Sequence, residues 1–121
     1  MSLYFILYNS LFLYSSKRIK TIFPANIPNE TQIRVTFENG DIYDGEWLDG
    51  KYYDGQYGCG KMIYKNGDIY DGEWDICGKH GQGKMVYKNG DVYEGTWFRN
   101  NRYGNGKITY KNGDIYEGMV Y

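Results

Sequence analysis

Proline is scarce in this chain, two in 121 residues, as are cysteine, at two, and histidine, at one. Leucine is sparse too, which turns the reading away from packed helices. A single histidine, His80, with no cysteine nucleophile or carboxylate pair at a recognisable spacing beside it, gives no convergent group for catalysis, and it reads as a solvated loop residue. Cys59 and Cys77 sit at no metal or redox spacing. They read as free thiols in a reducing, cytoplasmic compartment, although the strand register argued below brings both near one end of a hairpin, where a bridge is open. The net charge is only −1, so no strong field announces nucleic acid as a partner. No apolar run reaches the roughly 20 residues that a bilayer-spanning helix needs. The longest, residues 3–14, lacks a basic flank before it and a small-x-small cleavage site after it, so a secretory signal is unsupported.

Aromatic residues are abundant, at 19%, and glycine supplies 17 residues. Tyrosine, tryptophan and glycine in that proportion read as strands and tight turns. They are also repeated. Asn66-Gly67-Asp68-Ile69-Tyr70-Asp71-Gly72-Glu73-Trp74 matches residues 39–47 at all nine positions. Residues 89–97 are a close copy, and residues 112–120 are a fourth with Val120 in place of tryptophan. The asparagines are spaced 27, 23 and 23 residues apart, a period that signals stacked supersecondary units. The longer first spacing falls between Trp47 and Gly58, where it lengthens a loop and leaves the strands intact. A second run, of the form Gly58-Cys59-Gly60-Lys61-Met62-Ile63-Tyr64-Lys65, recurs at residues 81–88 and 104–111.

Each Asn-Gly-Asp is a turn signal, because asparagine and glycine tolerate positive φ. A two-residue turn at Asn66-Gly67 pairs Ile63 with Tyr70 and puts Lys61 and Lys65 among the aromatics. A three-residue loop, Lys65-Asn66-Gly67, closed by a glycine bulge, shifts the pairing by one. Met62 then faces Tyr70, Gly60 faces Gly72 and Gly58 faces Trp74 on one side, while Ile63 faces Ile69 and Lys61 faces Asp71 on the other. The second register separates the residue types and does so in every copy. Arg34 meets Asp44, Lys84 meets Glu94 and Lys107 meets Glu117, each such rung contributing about 0.2–1 kcal/mol.

One face of the expected sheet is therefore a ladder of ion pairs and small branched residues. The other gathers Tyr43, Trp47, Tyr64, Tyr70, Trp74, Tyr87, Tyr93, Trp97, Tyr110 and Tyr116 around Gly45, Gly60, Gly72, Gly83, Gly95, Gly106 and Gly118, with rings covering the bare backbone. The fold class that follows is all-β: one twisted antiparallel meander of about eight short strands over residues 31–121. Before it, residues 1–30 form an apolar and basic leader with a linker marked by Pro24 and Pro28. The leader packs on the protein, is poorly ordered, or lies as a helix in a membrane interface, where Lys17, Arg18 and Lys20 each add about 1 kcal/mol of attraction to anionic lipid.

Tyr70-x-Gly72-x-Trp74 followed by Gly81-x-Gly83 resembles the MORN (membrane occupation and recognition nexus) repeat. Tyr93-x-Gly95-x-Trp97 with Gly104-x-Gly106 and Tyr43-x-Gly45-x-Trp47 with Gly58-x-Gly60 are similar to it, and Tyr116-x-Gly118 begins another copy. The resemblance spans roughly residues 33–121 and implies a scaffold of stacked hairpins. It also implies contact with membranes or phosphoinositides, a place in cytoskeletal assemblies, self-association, or service as an accessory module on enzymes such as lipid kinases.

From the residues themselves, the expected function is a non-enzymatic scaffold for a protein partner or a second copy, through Tyr43, Trp47, Tyr70, Trp74, Tyr93, Trp97 and Tyr116. A single-layer sheet cannot bury both sides, so unless twist and mutual stacking close the aromatic face its rings stand exposed. A second expectation is a peripheral membrane module using Lys17, Arg18, Lys20 and the columns Lys61, Lys84, Lys107 and Lys65, Lys88, Lys111. Residues 30–121 carry 11 basic and 15 acidic side chains, a net −4, which argues against strong lipid attraction by the repeats. A third is a module of a larger enzyme. No cofactor, metal, nucleic acid or small-molecule substrate is expected.

Overall fold

A computed structural model describes residues 19–24, 32–49 and 54–120, of which residues 19–24, 49 and 54 are described in the backbone alone. Nine strands follow one another: β1 (Ile19–Pro24), β2 (Gln32–Phe37), β3 (Ile42–Asp49), β4 (Asp54–Ile63), β5 (Ile69–Asp75), β6 (Gly78–Val86), β7 (Val92–Phe98), β8 (Asn101–Thr109) and β9 (Ile115–Val120). They form one antiparallel sheet in which every strand pairs with its neighbours in sequence. The expected meander is present, with one strand more. β1 falls in the segment read as leader and linker and pairs with β2, Ile22 opposite Val35 and Pro24 opposite Ile33. Residues 19–24 are thus strand and not helix, and their pairing crosses the expected boundary at residue 31. Pro24 is accommodated because an edge strand can spare an N–H. The rest of the leader lies outside the described residues.

Four hairpins are closed by the three-residue loop with a glycine bulge. In the second, the Tyr64 N–H donates to the Asp68 carbonyl at 2.9 Å and the Gly67 N–H to the Tyr64 carbonyl at 3.0 Å. Gly67 takes a φ of +102°, a conformation that glycine adopts without steric cost. The register follows: Met62 opposite Tyr70, Gly60 opposite Gly72, Lys61 opposite Asp71 and Ile63 opposite Ile69.

Because each strand is shared by two hairpins, the pairs join into rows across the sheet. One runs Arg34, Asp44, Lys61, Asp71, Lys84, Glu94, Lys107, Glu117, alternating in sign from β2 to β9. Among the described residues Lys84 and Glu94 approach within ion-pair range, at 3.5 Å. The other expected rungs face one another without closing, since such half-exposed groups trade an ion pair for water at little cost.

The opposite ends of the hairpins are shorter. β5 and β6 close around Ile76-Cys77, while β3 and β4 run on to pair Leu48 with Gly55 and Asp49 with Asp54. The longer first spacing therefore extends these strands as well as their loop. Cys59 and Cys77 are exposed free thiols, and the bridge left open by the register does not form.

The aromatic face closes on itself. Tyr43, Tyr70 and Tyr93 are 0% exposed, and Trp47, Trp74 and Trp97 are 3–7% exposed. Trp74 and Trp97 each stand edge-on to the tyrosine of their own repeat and to that of the one before, whereas Trp47 is tilted against Tyr43 and Phe37. Trp74 lies 5.0 Å from Tyr70 and 5.7 Å from Tyr43, and Trp97 lies 5.2 Å from Tyr93 and 5.3 Å from Tyr70. Edge-to-face pairs of this kind add about 0.5–1.5 kcal/mol beyond the area they bury. Met62, Met85 and Ile108 fill the row between the tyrosines.

Candidate functional site: the turn column and the β9 edge

The spacing Tyr-x-Gly-x-Trp has a mechanical reason. The Tyr70 ring crosses Gly72 and Gly83, and its hydroxyl donates to the Glu73 carbonyl at 2.8 Å. A Cβ on Gly83 would meet the Tyr70 hydroxyl at 2.2 Å, and one on Gly72 would meet the Gly83 Cα at 2.4 Å. Tyr43, Tyr93 and Tyr116 make the same bond three residues ahead. Trp74 donates its indole N–H to the Gly60 carbonyl at 3.0 Å, and Trp97 to that of Gly83 at 3.1 Å. Trp47 does not: Ile33 stands where the glycine would be, and the buried Trp47 Nε1 is left without a hydrogen bond.

Burial raises the Tyr70 phenol well above its ordinary pKa, with the Glu73 carboxylate adding to the effect. Tyr64 is raised by burial, then by the Asp41 and Asp68 carboxylates. Burial also raises Tyr87 and Tyr93, partly opposed by the Arg102 guanidinium. These phenols hold their protons at neutral pH and serve as packing and hydrogen-bonding groups.

Of the seven aromatics expected to meet a partner, six are therefore core, and Tyr116, 45% exposed, is the one at the surface. Tyr110 is exposed as well, and Ile115 and Met119 are exposed on the opposite face of β9. The lysines separate into two sets. Lys61, Lys84 and Lys107 alternate with carboxylates in the charged row. Lys65, Lys88 and Lys111 are exposed on successive turns, and the stem of each lies against the glycine of the turn before, Gly40, Gly67 and Gly90. Lys17 and Arg18 lie outside the described residues, and of Lys20 only the backbone in β1 is described.

A role that the sequence reading missed belongs to the aspartate of each Asn-Gly-Asp. Within its own turn Asp68 receives the Asn66 amide N–H at 3.2 Å. Its other oxygen accepts the backbone N–H of Lys88, on the next turn, at 2.8 Å. Asp41 accepts from Lys65 and Asp91 from Lys111 in the same way, at 2.9 and 2.8 Å. The only signal was that aspartate recurs in all four turns although the turn itself needs only Asn-Gly. The last copy, Asp114, keeps its bond with Asn112 at 3.1 Å, and among the described residues its second oxygen takes no donor and a Cβ on Gly113 would meet nothing within 4 Å.

The bulges use a second carboxylate. Glu46 accepts the Cys59 N–H, and Glu73 the Gln82 N–H, each at 2.5 Å. In the third repeat Thr96 stands in that place and receives the Gln82 side-chain amide at 2.9 Å.

The grooves between turns, such as that lined by Asp91, Tyr110, Lys111, Asn112 and Asp114, are wide open to solvent. His80 sits 3.3 Å from Asp75 and 5.7 Å from the Phe98 ring. Among the described residues no three metal-ligating side chains gather, and no helix is long and apolar enough to cross a membrane. The model of the MORN repeat matches residues 43–52, 53–69, 70–92 and 93–115, more than half the chain. No curated protein matches the sequence.

Proposed function

This chain belongs to the MORN repeat family, and on that premise we propose that it is a non-enzymatic scaffold that holds a protein partner at the β9 end of its sheet. The observation that carries this reading is a contrast along one row. Tyr43, Tyr70 and Tyr93 are fully buried, whereas Tyr116 is 45% exposed, and on the other face of β9 Ile115 is 58% and Met119 49% exposed. Exposed aromatic and apolar side chains on both faces of β9 favour partner binding. The exposed thiols of Cys59 and Cys77 suit a reducing, cytoplasmic setting.

The test is retention of proteins from a cell extract by the immobilised chain, compared with the double variant Ile115→Lys, Met119→Lys. Both positions are exposed, so the variant keeps its far-ultraviolet spectrum and releases what the parent holds. Equal retention by the two forms overturns the reading. Contact with anionic phospholipid is a second reading, favoured by the exposed column of Lys65, Lys88 and Lys111. Salt-sensitive flotation with anionic vesicles, lost when the three become glutamine, would put it first.

A further inference from the structure

The face of the sheet opposite the rings carries rows of its own. The charged row alternates in sign from strand to strand, Arg34 on β2 to Glu117 on β9, and its members are exposed or half-exposed. On the Asn-Gly side of it lie half-exposed branched residues, Ile63, Ile69, Val86 and Val92 among them. Towards the other ends of the hairpins Leu48, Tyr57, Phe98 and Tyr103 are 38–54% exposed, with the Asp75–His80 pair, at 3.3 Å, in their midst. Phe98 packs against His80 and Tyr103, with ring centroids 5.7 Å away in both cases.

Alternation of sign has a consequence for symmetry. A half-turn about an axis parallel to the strands, passing between two of them, carries each strand onto one of the opposite sign, so every charge in the row meets its opposite. A half-turn about a strand itself sets like on like. One about an axis across the strands lays the row on itself, on the row of Glu46 and Glu73, or on the branched residues. This selection belongs to the alternation and holds whatever strands come before or after.

We propose that this face binds the same face of a second copy, the two sheets stacked about a two-fold axis between β5 and β6. The dimer goes beyond the scaffold reading and does not depend on it. Asp44 faces the partner's Lys107, Lys61 the partner's Glu94 and Asp71 the partner's Lys84. Ile63 faces the partner's Val92, and Ile69 the partner's Val86. Glu46 and Glu73 fall opposite the partner's Asn105 and the partner's Gln82, amides that can donate to them. Leu48 meets the partner's Tyr103, and Tyr57 the partner's Phe98. Asp75 lies over the partner's His80, and this match fixes the axis, because moving it by one strand spacing sets Asp75 against a tyrosine. Sheets of the same twist stack in this way about 10 Å apart. Eight strands about 4.8 Å apart and three row spacings of about 7 Å give roughly 800 Å² per copy, the size of a standard specific interface.

Sedimentation equilibrium of the full chain between about 1 µM and 1 mM, a range that an interface of this size reaches, should show monomer passing to dimer. Glu94→Lys sets cation against cation at two places and should raise the dissociation constant roughly tenfold. Adding Lys61→Glu to the same chain should restore the dimer. Lys61 and Glu94 stand three strands apart within one chain, so only contact between copies couples them, and buried tryptophan emission shows that each variant keeps its core. In the parent chain, alkylation of the exposed Cys59, opposite the partner's Thr96, should slow as the dimer forms, while Cys77 in its turn keeps its rate. A monomer throughout, a dimer in which Cys59 reacts as fast as in the monomer, or a double variant no better than Glu94→Lys would overturn the proposal. If no dimer forms while Ile115→Lys, Met119→Lys still releases partners, this interface falls and the scaffold reading stands.

Discussion

Glycine and tyrosine in this sheet are two halves of one part. Gly106 and Gly104 lie two residues apart on β8 and do different jobs. A Cβ on Gly106 would sit 2.4 Å from the Tyr93 ring, whereas one on Gly104 would meet nothing within 4 Å. Gly106→Ala should therefore destabilise by about 2–3 kcal/mol, because the ring must leave its bed. Gly104→Ala should cost only about 1 kcal/mol, for its φ of +66°. Urea unfolding of the two variants checks the difference, and equal losses would refute this account of the glycines. The tryptophans serve the same packing. Trp74 touches two tyrosines, so Trp74→Ala opens the core by about 3–5 kcal/mol and measures the fold before it measures any partner.

A hairpin here is held at its turn by its predecessor. Asp68→Ala removes an acceptor for the Lys88 N–H together with a bond inside its own turn, and a loss of about 1–3 kcal/mol is expected. Asp114→Ala removes only the bond inside its turn and should fall below about 1 kcal/mol. Comparing their melting transitions checks this, and equal shifts would deny the clamp between turns. This level also shows where the sequence was readable. The register followed from the sorting of residue types, because one wrong step would have put Lys61 among the rings. β1 was not readable, since Ile19–Pro24 bears neither a turn signal nor a copy of the motif. The bulge opposite Glu73 was hidden because its glycine, Gly81, looked like part of an ordinary strand, and nothing in the spacing showed that a carboxylate would cap it.

Among the described residues the sheet buries one face without a second layer. The sequence predicted the rings on a common side but not their cover, because the cover of Tyr70 by Trp97 joins residues of different repeats. The same closure sets a pH limit. Tyr64, Tyr70, Tyr87 and Tyr93 have raised phenol pKa values in the fold, whereas an unfolded tyrosine ionises near pH 10. Stability from these groups is full below that pH and is lost as the pH rises through and beyond it, because the unfolded chain releases protons that the fold retains. The urea midpoint should stay level between about pH 7 and pH 9 and fall by about pH 11, with phenolate absorbance rising as the tryptophan environment is lost. Phenolate appearing well before unfolding would show that the rings are open to water.

The clamps from Asp41 to Lys65, Asp68 to Lys88 and Asp91 to Lys111 all point the same way along the chain. On a ribosome the earlier turn emerges first, so each carboxylate is already in place when the amide it will hold leaves the exit tunnel. Assembly can then advance by one hairpin at a time, each turn waiting only for the chain that comes after it.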